Sequence, residues 1–441
     1  MNSFLIVIVL LFKLLNADNS YEKSFMLVNK ASDMGYINVR LPPYNATGDG
    51  IQDDTNAFQN ALNDVGTFGG GIVFVPEGNY LIKTHLNIPA ATVLKGVASH
   101  VQRHWGDPKT STTVGTTLLA VADAGNATGI PFVTLSGDGS GIEGLQIYYP
   151  NQIVEAPPIA YPWTIRCGNG KTVENTFVKN VLLVNPWQAI DAATNGAPRH
   201  WFENVYGQPL FLGISVDQCY DIGRINHIHF WPFWSNDPII RIWVEHNGIS
   251  FQFQRTDWEV VEDIFSIGYH IGMAFHTSPH GSCNGQFTDI NFDNVDIGLE
   301  VLHTQSAGIL FSNLNLANAG AGENKIGILG RLVNDTKPLD VSVTIRGGSF
   351  WGEFQQNIHW EHDGLISISD SLFKHWNSSS SAITIERGRA MINNNYFTDN
   401  IGNAITVLNT VDKVTITNNQ FNNNTLNVVT KPTVLVANNL H

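Results

Sequence analysis

Four times in the last hundred residues an apolar pair five positions apart recurs around Gly, Ser or Asn: Ile345/Phe350, Ile368/Phe373, Ile392/Phe397 and Ile416/Phe421. The closing residues follow one another at intervals of 23, 24 and 24. The spacing extends backwards through Ile142/Ile147, Val178/Leu183, Trp201/Tyr206, Ile225/Phe230, Val260/Phe265, Phe287/Phe292 and Phe311/Leu316, which makes eleven copies of one unit. A fixed period in the low twenties predicts a stacked solenoid, in which each unit buries its apolar side chains against its neighbours.

The second half of the unit fixes its type. Between closing residues sits a small residue followed by alternating apolar positions: Ala189-Ile190, Gly213-Ile214, Gly248-Ile249, Gly272-Met273, Gly298-Leu299, Gly308-Ile309, Ala382-Ile383 and Ala404-Ile405. These period-two segments are too short for helix and are separated by turn residues. The Leu-x-x-Leu-x-Leu frame of leucine-rich repeats is missing, so two or three strands per turn coil into parallel ladders. Asn clusters such as Asn393-Asn394-Asn395 and Asn418-Asn419 suit the turns, because Asn tolerates left-handed backbone and stacks from rung to rung. A solenoid lengthens without widening its core, so 441 residues fit one continuous domain over 18–441. Intervals of 36, 35 and 34 before Leu183, Phe265 and Phe350 predict that about ten extra residues loop out at each place, where binding and catalysis are often put.

Residues 1–17 are expected to be a secretory signal, with the apolar run Phe4 to Phe12 too short to span a bilayer and Ala17 at the cleavage site. The mature chain is therefore expected to be secreted, and sequons at Asn45, Asn126, Asn334, Asn377 and Asn423 suit a glycoprotein. Three cysteines, Cys167, Cys219 and Cys283, offer no metal-site spacing and are expected to be buried free thiols, with a Cys219–Cys283 bridge as the alternative. A formal net charge of −14 argues against nucleic acid and anionic membranes as partners.

The stretch Gly48-Asp49-Gly50-Ile51-Gln52-Asp53-Asp54-Thr55 predicts a tight turn and then a helix, with Asp53 or Asp54 as cap and Ala57, Phe58, Ala61 and Leu62 as its apolar face. After Gly69-Gly70-Gly71 comes Ile72-Val73-Phe74-Val75-Pro76-Glu77-Gly78-Asn79-Tyr80, two strands around a Pro-x-Gly turn. This succession resembles the N-terminal section of the pectate-lyase-like β-helix superfamily, over about residues 35–100. The resemblance implies an all-β, single-stranded right-handed parallel β-helix whose N-terminal end is capped by that helix. It also implies a choice among polygalacturonase-like hydrolases, polysaccharide lyases, uronate epimerases and viral tailspikes. The galacturonase motifs are not intact: Asn195-Gly196 lacks the Asp, and His280-Gly281 has no matching partner.

Aligning the Gly/Ala-led strands and taking the first large apolar residue as inward leaves the residues one and three later facing solvent. This alignment puts Asp217, Gln252, His276 and Glu300 in one stripe four rungs tall. Cleaving a glycosidic bond needs an acid and a base or nucleophile, usually two carboxyls. Asp217 and Glu300 are the expected catalytic carboxylates, with His276 orienting them and Asp257 and Glu259 in reserve; Glu245 is a comparable loop acid. Aromatic side chains stack on sugar C–H faces and charged ones bind hydroxyls. Trp234, Trp243, Gln252, Arg255 and Trp258 are accordingly expected to bind substrate, with Trp360 and Glu361 in a second patch. The expectation is a monomeric glycoside hydrolase acting on a polysaccharide, with no cofactor and no metal. A lyase, using Arg255 or His276 as base and Ca²⁺ against the uronate, is the second choice, and a non-catalytic glycan-binding protein the third.

Overall fold

The computed structural model describes residues 35–101, 115–318, 325–332 and 341–441. The apolar segment at 1–17 and the sequon at Asn334 lie outside the described residues. What is described is an all-β parallel β-helix with two short helices. One 24-stranded sheet and one 13-stranded sheet run along it.

The long sheet begins as two rows of short strands. They fuse at Phe177–Leu183, whose first half pairs with Gly141–Glu143 and second half with Gln146–Tyr148. They part again after Ile309–Asn318, whose halves pair with Ser342–Arg346 and Ser349–Phe354. From Gly141 onward each rung bends between the halves at one residue with positive φ: Gly144, Asn180, Asn204, His227, Asp263, Asp289, Asn313, Gly347, Asp370, Asn394, Asn418 and Asn438. All but His227 are Gly, Asn or Asp, the residues that enter left-handed backbone at least cost. His227 is held by Tyr206 and Asp263.

This corner explains the five-residue spacing. Ile345 and Phe350 lie on either side of Gly347, and the bend turns both side chains inward, as it does for Ile368/Phe373 and Ile392/Phe397. In two of the earlier copies the inward pair sits one residue later than the spacing suggests. Val178, Phe202, Ile225, Val261 and Phe287 are the aligned core residues. Trp201 and Val260 therefore face outward, because a one-residue slip reverses every side chain in a strand.

The short sheet is a single parallel stack from Leu86–Ile88 to Asn424–Val428. Here too the expected alignment needs correction. The rung after Ile214 is centred on Phe251 rather than Ile249, and Ile309 belongs to the long sheet, its place being taken by Ile328.

Helix α1, Thr55–Thr67, buries Phe58, Ala61, Leu62 and Val65. Asp53 accepts the Thr55 N–H at 3.1 Å, whereas Asp54 turns back to the Thr47 and Gly48 amides at 2.7 and 3.0 Å. These acids are turn and cap residues. The long interval before Phe265 is no loose loop; it holds helix α2, Pro238–Asn247, with Pro at its first turn and Asp237 accepting the Ile239 N–H at 2.9 Å. Cys167, Cys219 and Cys283 are buried free thiols. Thr256 separates Cys219 from Cys283 in one column of rungs. At about 4.8 Å per rung the two lie beyond the roughly 7 Å Cα separation a disulfide tolerates.

Candidate active face and adjoining cleft

On the outer face of the short sheet, Ser215, Gln252, Ala274, Glu300, Leu329, His359 and Thr384 occupy successive rungs of one row. Gln252 is thus level with Ala274, one row away from where the sequence alignment put it. Two residues further along each strand come His276, Arg331, Glu361 and Glu386. The two rows interleave their charges. Glu300 is buried, with Oε2 2.8 Å from His276 Nε2 and Oε1 bonded to Arg331. Burial by itself would raise the Glu300 carboxyl, but the His276 hydrogen bond and the Arg331 charge outweigh it and leave its pKa lowered. Arg331 is the register partner of Glu361. His359 Nε2 lies 3.2 Å from Glu361 Oε1 and 2.9 Å from Glu386 Oε1, a set compact enough to hold an ion.

Of the five residues expected to be catalytic, only Glu300 and His276 meet. Asp217 Oδ1 accepts from Gln218 N at 2.8 Å, Arg255 N at 2.9 Å and Ser278 Oγ at 3.0 Å, so it ties three turns together at the edge of the sheet. Asp257 is engaged beside it by Arg255 at 2.8 Å and Gln305 at 2.7 Å. Glu259 points into the core and has no exposed surface. The same correction applies to Trp360, fully buried because strand alternation turns Glu361 outward in its place. Trp234 is buried behind Gln208, and Trp243 packs on Trp187 with ring centroids 5.1 Å apart. Trp258, 59% exposed, and Arg255 remain available to a ligand.

A cleft of about 560 Å³ opens where α2 folds against the border of the short sheet. Trp231, Arg241, Glu245, Tyr269, Asp293 and Lys325 line it. Burial raises the Asp293 carboxyl, and Glu245 accepts from Asn294 Nδ2 at 3.0 Å. Sequence reasoning named Glu245 but missed Asp293 and Lys325. Nothing in their spacing marks them, since only the folded chain brings them into one cleft.

The family description rhamnogalacturonase A/epimerase, pectate lyase-like, matches residues 36–128. Over that stretch the chain is similar to the pectate-lyase-like family, and the two parallel sheets that run along the described residues have the parallel β-helix architecture. Plasmin and fibronectin-binding protein A of Streptococcus pneumoniae is 35% identical over 95 residues, which are 19% of this chain and 13% of that protein. Gene product 12 of bacteriophage phi29 superposes with a TM-score of 0.59 at 14% identity, covering 87% of this chain and 52% of that one. Its N-terminal fragment gives 0.52 at 14% identity, over 94% and 74%. At such identity these structures speak for the fold, which is a carbohydrate-related one by its family description. No helix among the described residues is long and apolar enough to cross a membrane.

Proposed function

We propose that this protein is a glycoside hydrolase that cleaves a polysaccharide on the outer face of its short sheet. The observation that carries the reading is Glu300, a buried carboxylate held ionised between His276 and Arg331 beside a second carboxylate pair. Glu300 activates a water or stabilises the developing oxocarbenium charge, and Glu361, bridged by His359 to Glu386, protonates the leaving oxygen. Glu300 and Glu361 are two rungs apart and two residues offset along the strand, roughly 12 Å between backbones, which side chains leaning together bring near the wider carboxylate spacing of about 6.5–9.5 Å that leaves room for water. Asp217 and Asp257 position Arg255 at the edge of the face, and the α2 cleft with Trp231 takes part of the sugar chain.

The reading includes a right-handed coil closed by α1, whose buried Phe58 and Leu62 pack at its first rungs, and a monomer working outside the cell. Exposed sequon residues Asn45, Asn126, Asn377 and Asn423 support secretion and glycosylation. The ion-capable set His359, Glu361 and Glu386 favours one second reading, elimination on a uronate polymer with Ca²⁺ bound there.

Reducing-end release from a panel of neutral and acidic polysaccharides tests the proposal. Glu300→Gln and Glu361→Gln are each expected to lower it by roughly 10²–10⁴-fold with the fold intact. Products that absorb in the ultraviolet and vanish on chelation would transfer the site to the lyase reading. Binding without any product from the wild type would make the face a glycan-binding surface only.

A further inference from the structure

Inside the solenoid, His200, Gly223 and Glu259 occupy successive rungs of one column, as the pairings of Trp201 with Arg224 and Arg224 with Val260 require. Gly223 carries no side chain, so His200 and Glu259 meet across its rung, Nε2 to Oε1, at 2.9 Å. A Cβ on Gly223 would fall 2.5 Å from that nitrogen and 2.6 Å from that oxygen. Cys219, from the same rung as Gly223, brings its Sγ to 3.8 Å from His200 Nδ1. Neither His200 nor Glu259 has any exposed surface, and Cys219 is buried.

We infer that His200, Cys219 and Glu259 form a buried structural site for a zinc-type divalent ion. Three observations converge on it. His200 Nδ1 is 2.9 Å from the Ala197 carbonyl, which orients the ring and turns Nε2 toward Glu259. An imidazole oriented by a backbone carbonyl, with its other nitrogen facing a carboxylate, is a usual arrangement of metal ligands. Second, Glu259 Oε2 is buried without a hydrogen-bond partner, a costly state that a proton on His200 would not relieve and a coordinated ion would. Third, one donor atom from each residue fits within 4.8 Å of the others.

The donor types decide the ion. Thiolate, imidazole and carboxylate together suit Zn²⁺, whereas Ca²⁺ and Mg²⁺ take oxygen. A dication with one thiolate and one carboxylate is also neutral overall, which lowers the cost of burying the set. With the ligands walled in, the ion would enter as the rungs close, and binding energy would become folding energy.

Metal content of the purified chain after dialysis against a chelator is expected to be one transition-metal ion per molecule, falling to none in Cys219→Ser and Glu259→Gln. Should those variants fail to fold, the wild type is unfolded in denaturant with chelator and refolded with Zn²⁺, Co²⁺ or none. A higher unfolding midpoint with Zn²⁺ and a thiolate-to-Co²⁺ absorption band support the site. A chain that is metal-free as purified, refolds to the same midpoint with or without Zn²⁺ and shows no thiolate band overturns it, and leaves an imidazolium–carboxylate ion pair only.

Discussion

The last four rungs and the middle rungs are built on the same corner but use it differently. From Phe350 through Phe373 and Phe397 to Phe421 the rings lie in one column, 4.7, 4.8 and 5.1 Å apart and within 22° of parallel. Asn395, Asn419 and Asn439 form a second column, each amide oxygen accepting the backbone N–H of the rung before it, at 2.9–3.0 Å. In the middle, Phe253 and Phe275 stack at 17° but Phe287 meets both edge-on, at 79° and 88°, and α2 interrupts the period. Identical residues repeating at the rung spacing fix the coil; dissimilar ones leave shape and charge to vary. The cleft therefore occurs where the columns are mixed, whereas the charged outer face starts there at Glu300 and runs on into the regular rungs at Glu361 and Glu386.

The largest effect that would separate the two regions is Phe373→Ala. It removes a ring stacked on both sides and should cost about 3–5 kcal/mol, seen as a lower urea midpoint, while polysaccharide cleavage per folded molecule stays unchanged. Asn395→Ala breaks one step of the amide ladder, which donates to the Ile368 carbonyl at 3.2 Å and accepts from Ser371 N at 3.0 Å. About 1–3 kcal/mol should be lost, again without effect on cleavage. Acid is the gentlest probe of the middle rungs. Because folded Glu300 holds its proton less tightly than an unfolded glutamate near pH 4.3, its contribution is complete above that value and disappears as the pH falls through its lower folded pKa. Glu300→Gln should flatten that part of the acid limb in a pH series of unfolding midpoints, and Asn395→Ala should leave it in place. Equal flattening by both would mean that the two regions do not differ in charge coupling.

Much of this was legible in the chain. Eleven copies of the five-residue pair implied the coil, and Ile345/Phe350 and its successors were placed on the correct side of the wall. Trp201 and Val260 were misplaced because a bulky aromatic or β-branched residue suits either face of a strand, and only pairing with Arg224 shows which one it takes. At the site, the adjacency of Glu300 and His276 followed from counting rungs. Arg331 did not, since Ile309 offered an equally good apolar start and diverted the count. Asp217 looked free because it faces away from the core, yet turns returning from two other rungs supply its donors.

The sequence by itself determined the period, the inward columns and the left-handed corners, because each depends on residues within one rung of about 24 positions. The tertiary structure alone decided which acids are solvated, clamped or buried. Contacts between rungs, such as Glu300 with Arg331 across 31 residues or His200 with Glu259 across 59, depend on how many residues each loop inserts, and local patterns carry no record of that count.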